Sequence, residues 1–557
     1  MTGAGTAAPA AATVPVRPAL IGIAFALLVY AAVHVLARNV YPLWFDELFT
    51  AYWIEHPHTY LWWEGQNTEA NPPLYYSLLR LWSAQFGIGE LALRSLSLLA
   101  GGLGVTIAVL IGQVSAGPRV AMLSGVFAAL LPVGVLFAWE ARPVALLPSL
   151  QGALLLACLM ELKQAIPQTD KPAAGPSPDS RAGPCMFVVF AVVSNYTHPI
   201  APIFVASCCT MYFFVYLYYR LPKVFFWRWG GMTTKVFLLS LPQAFWLVRH
   251  STDVALAWRP AFGLRAVAAF VMEFLLGEGA YGLSSEAKAL LCLLLLGIAS
   301  RGVIHLDRPA RLALCGIPTL FVASVMALSF ATPLLWTRYM LGLTGPWAVL
   351  LAAGCAPLLW RGVVRPLALA LVAGGLAVLT ARQSTRGWEG EWHPTQDWRG
   401  VTARLLERPE CGGEIYADVL PGLAAWPYYD PEGRLARRFF VSDEAADPGR
   451  GHPFRFEAFF ERVSRFNRIS WQEFSARLES GQQMTVILVG RIAEQYRLGR
   501  TVRDSGRRMI RYDFPPGVSL MCLPGANADA AWRPRGLAQT EGGGRRSRAS
   551  GPSIRPA

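Results

Sequence analysis

The sequence predicts an α-helical multi-span membrane protein that ends in a small α/β domain. Three observations predict it. The chain of 557 residues is 54% hydrophobic and only 15% charged, a balance typical of multi-span membrane proteins and too apolar for an ordinary soluble one. Its apolar runs form roughly eleven segments, each near the ~20 residues a bilayer requires. After Arg382 those runs stop, and short strand-like stretches alternate with helical ones.

Taken in order, residues 1–18 are Ala-, Thr- and Pro-rich and read as disordered. No cleavable signal follows, because the run from Ala19 to Leu36 is long enough to stay as a span. The transmembrane unit, 19–381, has expected spans near 19–38, 92–114, 119–138, 143–162, 184–197, 199–219, 233–249, 285–300, 310–330, 338–359 and 365–381. The fifth and sixth are cramped. Residues 185–220 must cross twice, about 54 Å of helix or two thin crossings of ~27 Å. Their turn, Asn195-Tyr196-Thr197-His198-Pro199, therefore falls at the membrane surface or slightly inside it.

Orientation follows from the basic residues. With the N-terminus cytoplasmic, the inner loops carry Arg119; Lys163, Lys171 and Arg181; Arg220, Lys223, Arg228 and Lys235; Arg301, Arg308 and Arg311; Arg361 and Arg365. An odd number of spans then places the tail outside. Two outer loops are long. In the first, 39–91, Pro72-Pro73 open an amphipathic stretch to Phe86, expected to be a helix along the interface. In the second, 250–284, Ala266–Leu276 is too short to span and reads as another interfacial helix. The tail, 382–526, offers strand-like runs at Glu414–Leu420, Arg438–Val441, Thr485–Gly490 and Val518–Leu523, with helical stretches at Asp397–Glu407, Trp471–Leu478 and Ile492–Tyr496. Residues 527–557 are Gly-, Arg-, Ser- and Pro-rich and read as disordered.

The net charge of +14 does not call for nucleic acid in so apolar a chain. Positive charge collects in cytoplasmic loops and beside anionic headgroups, so the expected partner is the bilayer. The nine cysteines show no metal-ligand spacing. No P-loop, dinucleotide-binding glycine loop or internal repeat is evident.

Laid on this topology, polar residues from five places converge on the outer face: Asp46 and Glu47, Arg94, Glu140 and Arg142, His198, and Arg338 and Tyr339. Charges at a membrane edge are costly and commonly functional. Each has a plainer alternative. The two acids fit a solvated helix start. Arg142 fits pairing with Glu140 or a headgroup. His198 fits a turn cap, Arg94 and Arg338 snorkelling anchors, Asn71 a helix cap, and Tyr75 and Trp82 interface anchors. Adjacent residues on a helix point ~100° apart, so Asp46 and Glu47 cannot share one role. One carboxylate and several cations suit transfer of a group from a lipid phosphate. The carboxylate orients or deprotonates an acceptor hydroxyl, and arginine stabilises the leaving phosphate.

Trp44-Phe45-Asp46-Glu47, Asn71-Pro72-Pro73-Leu74-Tyr75-Tyr76, Phe86-Gly87-Ile88-Gly89-Glu90-Leu91-Ala92-Leu93-Arg94, Glu140-Ala141-Arg142-Pro143, Tyr196-Thr197-His198 and Arg338-Tyr339-Met340 occur in order over about 20–360. This set resembles bacterial membrane glycosyltransferases of the protein O-mannosyltransferase and aminoarabinose-transferase superfamily. Asp397-Trp398-Arg399-Gly400 and Pro421-Gly422-Leu423 resemble the tails of such proteins less distinctively. The resemblance implies the GT-C fold, a polyprenyl-phosphate-linked sugar donor, a glycan, glycolipid or protein acceptor, and an inverting single displacement at the outer face of the bacterial inner membrane. It implies Asp46 and Glu47 as the catalytic acid pair, with Asp46 as base or acceptor-orienting carboxylate and Glu47 supporting the loop or binding acceptor. Arg142, His198, Arg338 and Arg94 would hold donor phosphate. Asn71, Tyr75, Glu140 and Tyr339 would shape the loop or the acceptor site. The group often has His where this chain has Asn71 and Tyr where it has Val144. No second acidic cluster is evident, so neither metal nor cofactor is expected. A transporter or flippase of lipid-linked sugars is the alternative, and would be expected to have mid-membrane polar residues and repeated halves. Cys411 and Cys522 are the tail's two cysteines; outside the cytoplasm they can pair, and two free thiols are the other reading.

Overall fold

The computed structural model describes residues 16–36, 42–67, 71–166, 182–250, 262–357, 364–385, 396–417, 428–442, 467–489, 497–514 and 518–525. Among the described residues, each apolar run expected to span contains helix. The helices are α1 Val16–Leu36, α2 Phe45–Glu55, α3 His58–Trp62, α4 Leu74–Phe86, α5 Glu90–Ala116, α6 Pro118–Leu130, α7 Pro132–Ala138, α8 Leu147–Ala165, α9 Ala182–Asn195, α10 Ala201–Tyr219, α11 Lys223–His250, α12 Leu264–Leu276, α13 Ser285–His305, α14 Arg308–Arg311, α15 Ile317–Ser329, α16 Thr344–Cys355 and α17 Val364–Thr385. Helix α1 begins inside the stretch expected to be disordered; Pro18 is tolerated there because a first-turn residue needs no N–H partner. Residues 1–15 and 527–557 lie outside the described residues.

Among the described residues six helices are long and apolar enough to cross a bilayer, and seven if α6 and α7 form one span bent by 59°. The bend falls where Leu131 is extended ahead of Pro132, as proline demands of the residue before it. The cramped pair resolves into a 14-residue α9 and a 19-residue α10 around the turn at 196–200. Close helix contact depends on small residues. A Cβ on Gly302 of α13 would lie 2.0 Å from the Leu350 carbonyl oxygen of α16, and one on Gly354 of α16 would lie 2.1 Å from that of Ile298.

The first outer loop folds into α2, α3 and α4. Helix α4 buries Tyr75, Tyr76 and Leu79 and exposes Leu78, Leu81 and Phe86, the division expected of an interfacial helix. In the second long loop, α12 forms over the stretch expected to be helical and is 13 residues long.

In the tail, α18 (Trp398–Glu407), α19 (Trp471–Glu479) and α20 (Arg497–Asp504) accompany six strands: β1 Glu414–Ala417, β2 Phe439–Ser442, β3 Asn467–Ile469, β4 Met484–Val489, β5 Ile510–Phe514 and β6 Val518–Leu523. They form one sheet in the order β3-β2-β1-β4-β6-β5. Strands β1 to β4 pair in parallel, and β6 runs antiparallel to both β4 and β5. Strands β3 and β5 are absent from the sequence reading: β3 has three residues, and β5 is a partly exposed edge strand rich in charge. The helix expected at Ile492–Tyr496 and the Pro421-Gly422-Leu423 patch lie outside the described residues. Cys411 and Cys522 are disulfide-bonded. One continuous core joins Leu43, Leu48, Trp53, Tyr75 and Leu93 of the first loop and its neighbour α5 to Trp398, Leu405, Ile415 and Phe439 of the tail.

Candidate active site

The acid pair sits in the first turn of α2, where carboxylates complement exposed N–H groups. The backbone N–H groups of Glu47 and Leu48 donate to the Trp44 carbonyl, both at 2.9 Å. The Trp44 N–H donates back to Glu47 Oε2 at 3.3 Å, so Glu47 supplies half of a capping box.

The two acids then diverge. Glu47 turns inward. Arg94 Nε donates to its Oε1 at 2.7 Å and Arg94 Nη2 to its Oε2 at 2.5 Å, a bidentate fork. The Ala141 N–H adds a bond to Oε1 at 3.0 Å. The side chains of Arg94 and Glu47 are 7% and 1% exposed. The structure thus brings Arg94, expected at a donor phosphate, onto Glu47, and gives Glu47 the contacts of a loop-supporting carboxylate. The cause is the ~100° offset between neighbours on a helix, which sends one acid into the protein when the other faces out.

Asp46 stays 23% exposed. Its Oδ2 lies 3.3 Å from both Nη1 and Nη2 of Arg338 and 3.7 Å from Nε of Arg142. Arg142 Nη1 reaches the Asp46 carbonyl at 3.1 Å, Thr50 Oγ1 at 3.3 Å and the Tyr76 hydroxyl at 3.4 Å. Arg338 also donates to Glu140 Oε2 at 3.3 Å, and its guanidinium lies 4.8 Å from the Trp336 ring and 5.6 Å from the Trp44 ring. The aromatic rings favour a fixed, planar cation. Thus Arg338 bridges two carboxylates, and Arg142 pairs with Asp46.

Glu140 is wholly buried. Burial pushes its carboxyl up to about 7 against the pull of Arg338, with Glu47 and Asp46 adding to the rise. Glu278, in the second outer loop, is pushed up to about 8 by burial and by Glu273 and Glu140. Glu273 accepts from Thr337 Oγ1 at 2.8 Å, immediately before Arg338.

The other expected residues frame this network. His198 is buried. Its Nδ1 accepts from the Ile200 N–H at 3.2 Å, which leaves the neutral ring's proton on Nε2. Its ring lies 5.0 Å from that of Tyr339, so it approaches Arg338 through that residue's chain neighbour. Asn71 is half-buried and stands outside α4, whose cap is Pro73. The Leu74 N–H donates to the Tyr196 carbonyl at 3.2 Å, joining the proline corner to the His198 turn. Tyr75 is buried, and its hydroxyl shares a 2.8 Å hydrogen bond with Ser97 of α5. Trp82 ties α4 to α5 through Ser95 at 2.8 Å.

Sequence reasoning missed Thr50, Tyr76, Trp336, Glu273 and Glu278. Thr50 carried a signal, since it stands four residues after Asp46 on the same helix face. Among the described residues, no group of three His, Cys, Asp or Glu side chains converges to hold a metal ion.

No protein-family model matches the sequence, and no curated protein matches it. Solved structures do. ArnT from Cupriavidus metallidurans bound to undecaprenyl phosphate superposes with a TM-score of 0.54 at 13% identity, over 92% of this chain and 98% of that one. The apo state of the same protein gives 0.54 at 12% identity, over 90% and 97%. Likeness at this identity carries the fold alone: a multi-pass membrane protein of GT-C type with a small C-terminal sheet region.

Proposed function

We propose that the chain transfers a sugar from a polyprenyl-phosphate donor to a hydroxyl-bearing acceptor at the outer face of the membrane. The observation that carries this reading is Asp46, a partly exposed carboxylate held between Arg142 and Arg338, with Glu140 behind Arg338. The acceptor oxygen attacks the anomeric carbon and gives its proton to Asp46. The bond from that carbon to the phosphate oxygen breaks on the opposite side, and its electron pair leaves with the phosphate. The configuration at the sugar carbon is inverted.

Arg142 and Arg338 meet the charge that develops on the phosphate, where donors fixed in advance contribute most. With Glu140 neutral, Asp46, Arg142 and Arg338 together carry one net positive charge, which one phosphodiester balances. With Glu140 ionised that charge is cancelled. Undecaprenyl phosphate, held by the ArnT of like fold, has the carrier chemistry this arrangement suits. The Cys411–Cys522 disulfide supports placing the tail in an oxidising, extracytoplasmic compartment.

The test is donor consumption. Reconstituted full-length chain is given undecaprenyl-phosphate-linked mannose or aminoarabinose with an envelope extract as acceptor, and released undecaprenyl phosphate is measured. Release that requires the chain supports the proposal. Sugar lipid that changes leaflet without being consumed would support the flippase reading instead.

A further inference from the structure

The tail reaches the acid-bearing turn directly. The Tyr429 hydroxyl accepts from the Leu43 N–H at 2.7 Å and donates to Glu90 Oε1 at 2.7 Å. Arg399, in the first turn of α18, donates to the other oxygen of Glu90 at 2.7 Å. Tyr428 donates to the Ile88 carbonyl at 2.7 Å. Glu90 opens α5, the helix that carries Arg94.

Consider the three residues before the catalytic helix. Pro42 gives its carbonyl to Arg94 Nη2 at 3.2 Å. Leu43 gives its N–H to Tyr429. Trp44 gives its N–H to Glu47 and its carbonyl to Glu47 and Leu48. Of these anchors, Tyr429 alone comes from the tail. Leu43 is fully buried and belongs to the core shared with Trp398, Leu405 and Ile415, so water cannot replace a lost partner there at low cost.

We infer that Tyr429 is a positioning residue for the Asp46 turn, and that the C-terminal domain is a working part of the site rather than an appendage. Its hydroxyl links Leu43, three residues before Asp46, to the start of α5. It thereby fixes the entry into α2 and the register of Asp46 against Arg142 and Arg338. The link from this geometry to rate rests on the proposed transfer reaction; the link to loop order does not.

Hydrogen exchange on the full-length chain separates the two. Tyr429→Phe removes the hydroxyl and keeps the ring. Amides within 42–50, which begin at Leu43, are expected to exchange about 5- to 30-fold faster, the scale of one lost buried hydrogen bond, with amides of β4 unchanged. Tyr512→Phe, which removes a tail hydroxyl bonded to Glu410 at 2.8 Å, should leave 42–50 as in the wild type. In the donor-consumption assay Tyr429→Phe should lower kcat several-fold while undecaprenyl phosphate binds as before. Unchanged exchange at 42–50 would overturn the inference, and so would faster exchange with wild-type kcat. If the wild-type chain consumes no sugar lipid, the transfer reading fails, and the exchange result alone decides whether Tyr429 orders the turn.

Discussion

The buried pairing of Arg94 with Glu47 makes an unusual energetic prediction. Arg94→Met leaves Glu47 buried, with two backbone N–H groups but no counter-charge. Breaking a buried ion pair from one side costs about 3–5 kcal/mol, and side-chain exposures of 7% and 1% place this pair in that class. Adding Glu47→Gln removes the stranded charge. It leaves an amide whose oxygen satisfies one of the Trp44 and Ala141 donors, a mismatch of about 1–3 kcal/mol. The double variant should therefore be more stable than Arg94→Met alone, by roughly 2 kcal/mol. The assay is opening of residues 42–50 by native-state hydrogen exchange, which avoids irreversible melting. Additive losses would refute the pairing argument. Undecaprenyl phosphate affinity that falls in Arg94→Met and is not restored in the double variant would return Arg94 to the donor site.

Four further outcomes follow. Arg338→Lys replaces a fork that spans Asp46 and Glu140 with a point charge, and should lower kcat/KM in sugar transfer by about a hundredfold; a loss under threefold would contradict the bridging role. Donor binding should weaken as pH rises through about 7, because Glu140 then ionises beside Arg338. Glu140→Gln should flatten that dependence when a sugar phosphodiester, which does not titrate there, is the ligand. Because the folded carboxyl is raised, the stability Glu140 contributes is present at low pH and lost as pH rises through about 7, so the same variant should reduce the decline of thermal stability between pH 5 and 8. Cys411→Ser with Cys522→Ser should cost the tail about 2–5 kcal/mol, read as faster proteolysis within 396–525.

Much of this was legible in the sequence because bilayers impose long apolar runs and edge charges stand out against them. Asp46, Glu140, Arg142 and Arg338 come from three distant segments, yet the topology alone placed them on one face. What that reading lacked was direction. Tyr75 and Tyr76 are neighbours, and only packing decides that Tyr76 meets Arg142 while Tyr75 meets Ser97. For Glu47 the sequence left loop support and acceptor binding both open, and only packing brings Arg94 and the Ala141 N–H onto its oxygens. Glu273 and Glu278 approach the site through tertiary packing of the second outer loop, which no local pattern encodes. Likewise β3 and β5 were missed because a three-residue strand and a charged edge strand carry almost no periodic signal.

The central claim is that Asp46 is the carboxylate that handles the acceptor proton. Its most direct test is single-turnover sugar transfer by Asp46→Asn from an undecaprenyl-phosphate donor. Loss of a positioned base predicts a fall of about 10²–10⁴-fold, with the donor bound at least as tightly, since one negative charge beside Arg142 and Arg338 is gone. Transfer within tenfold of wild type by a folded, inserted Asp46→Asn protein would contradict it.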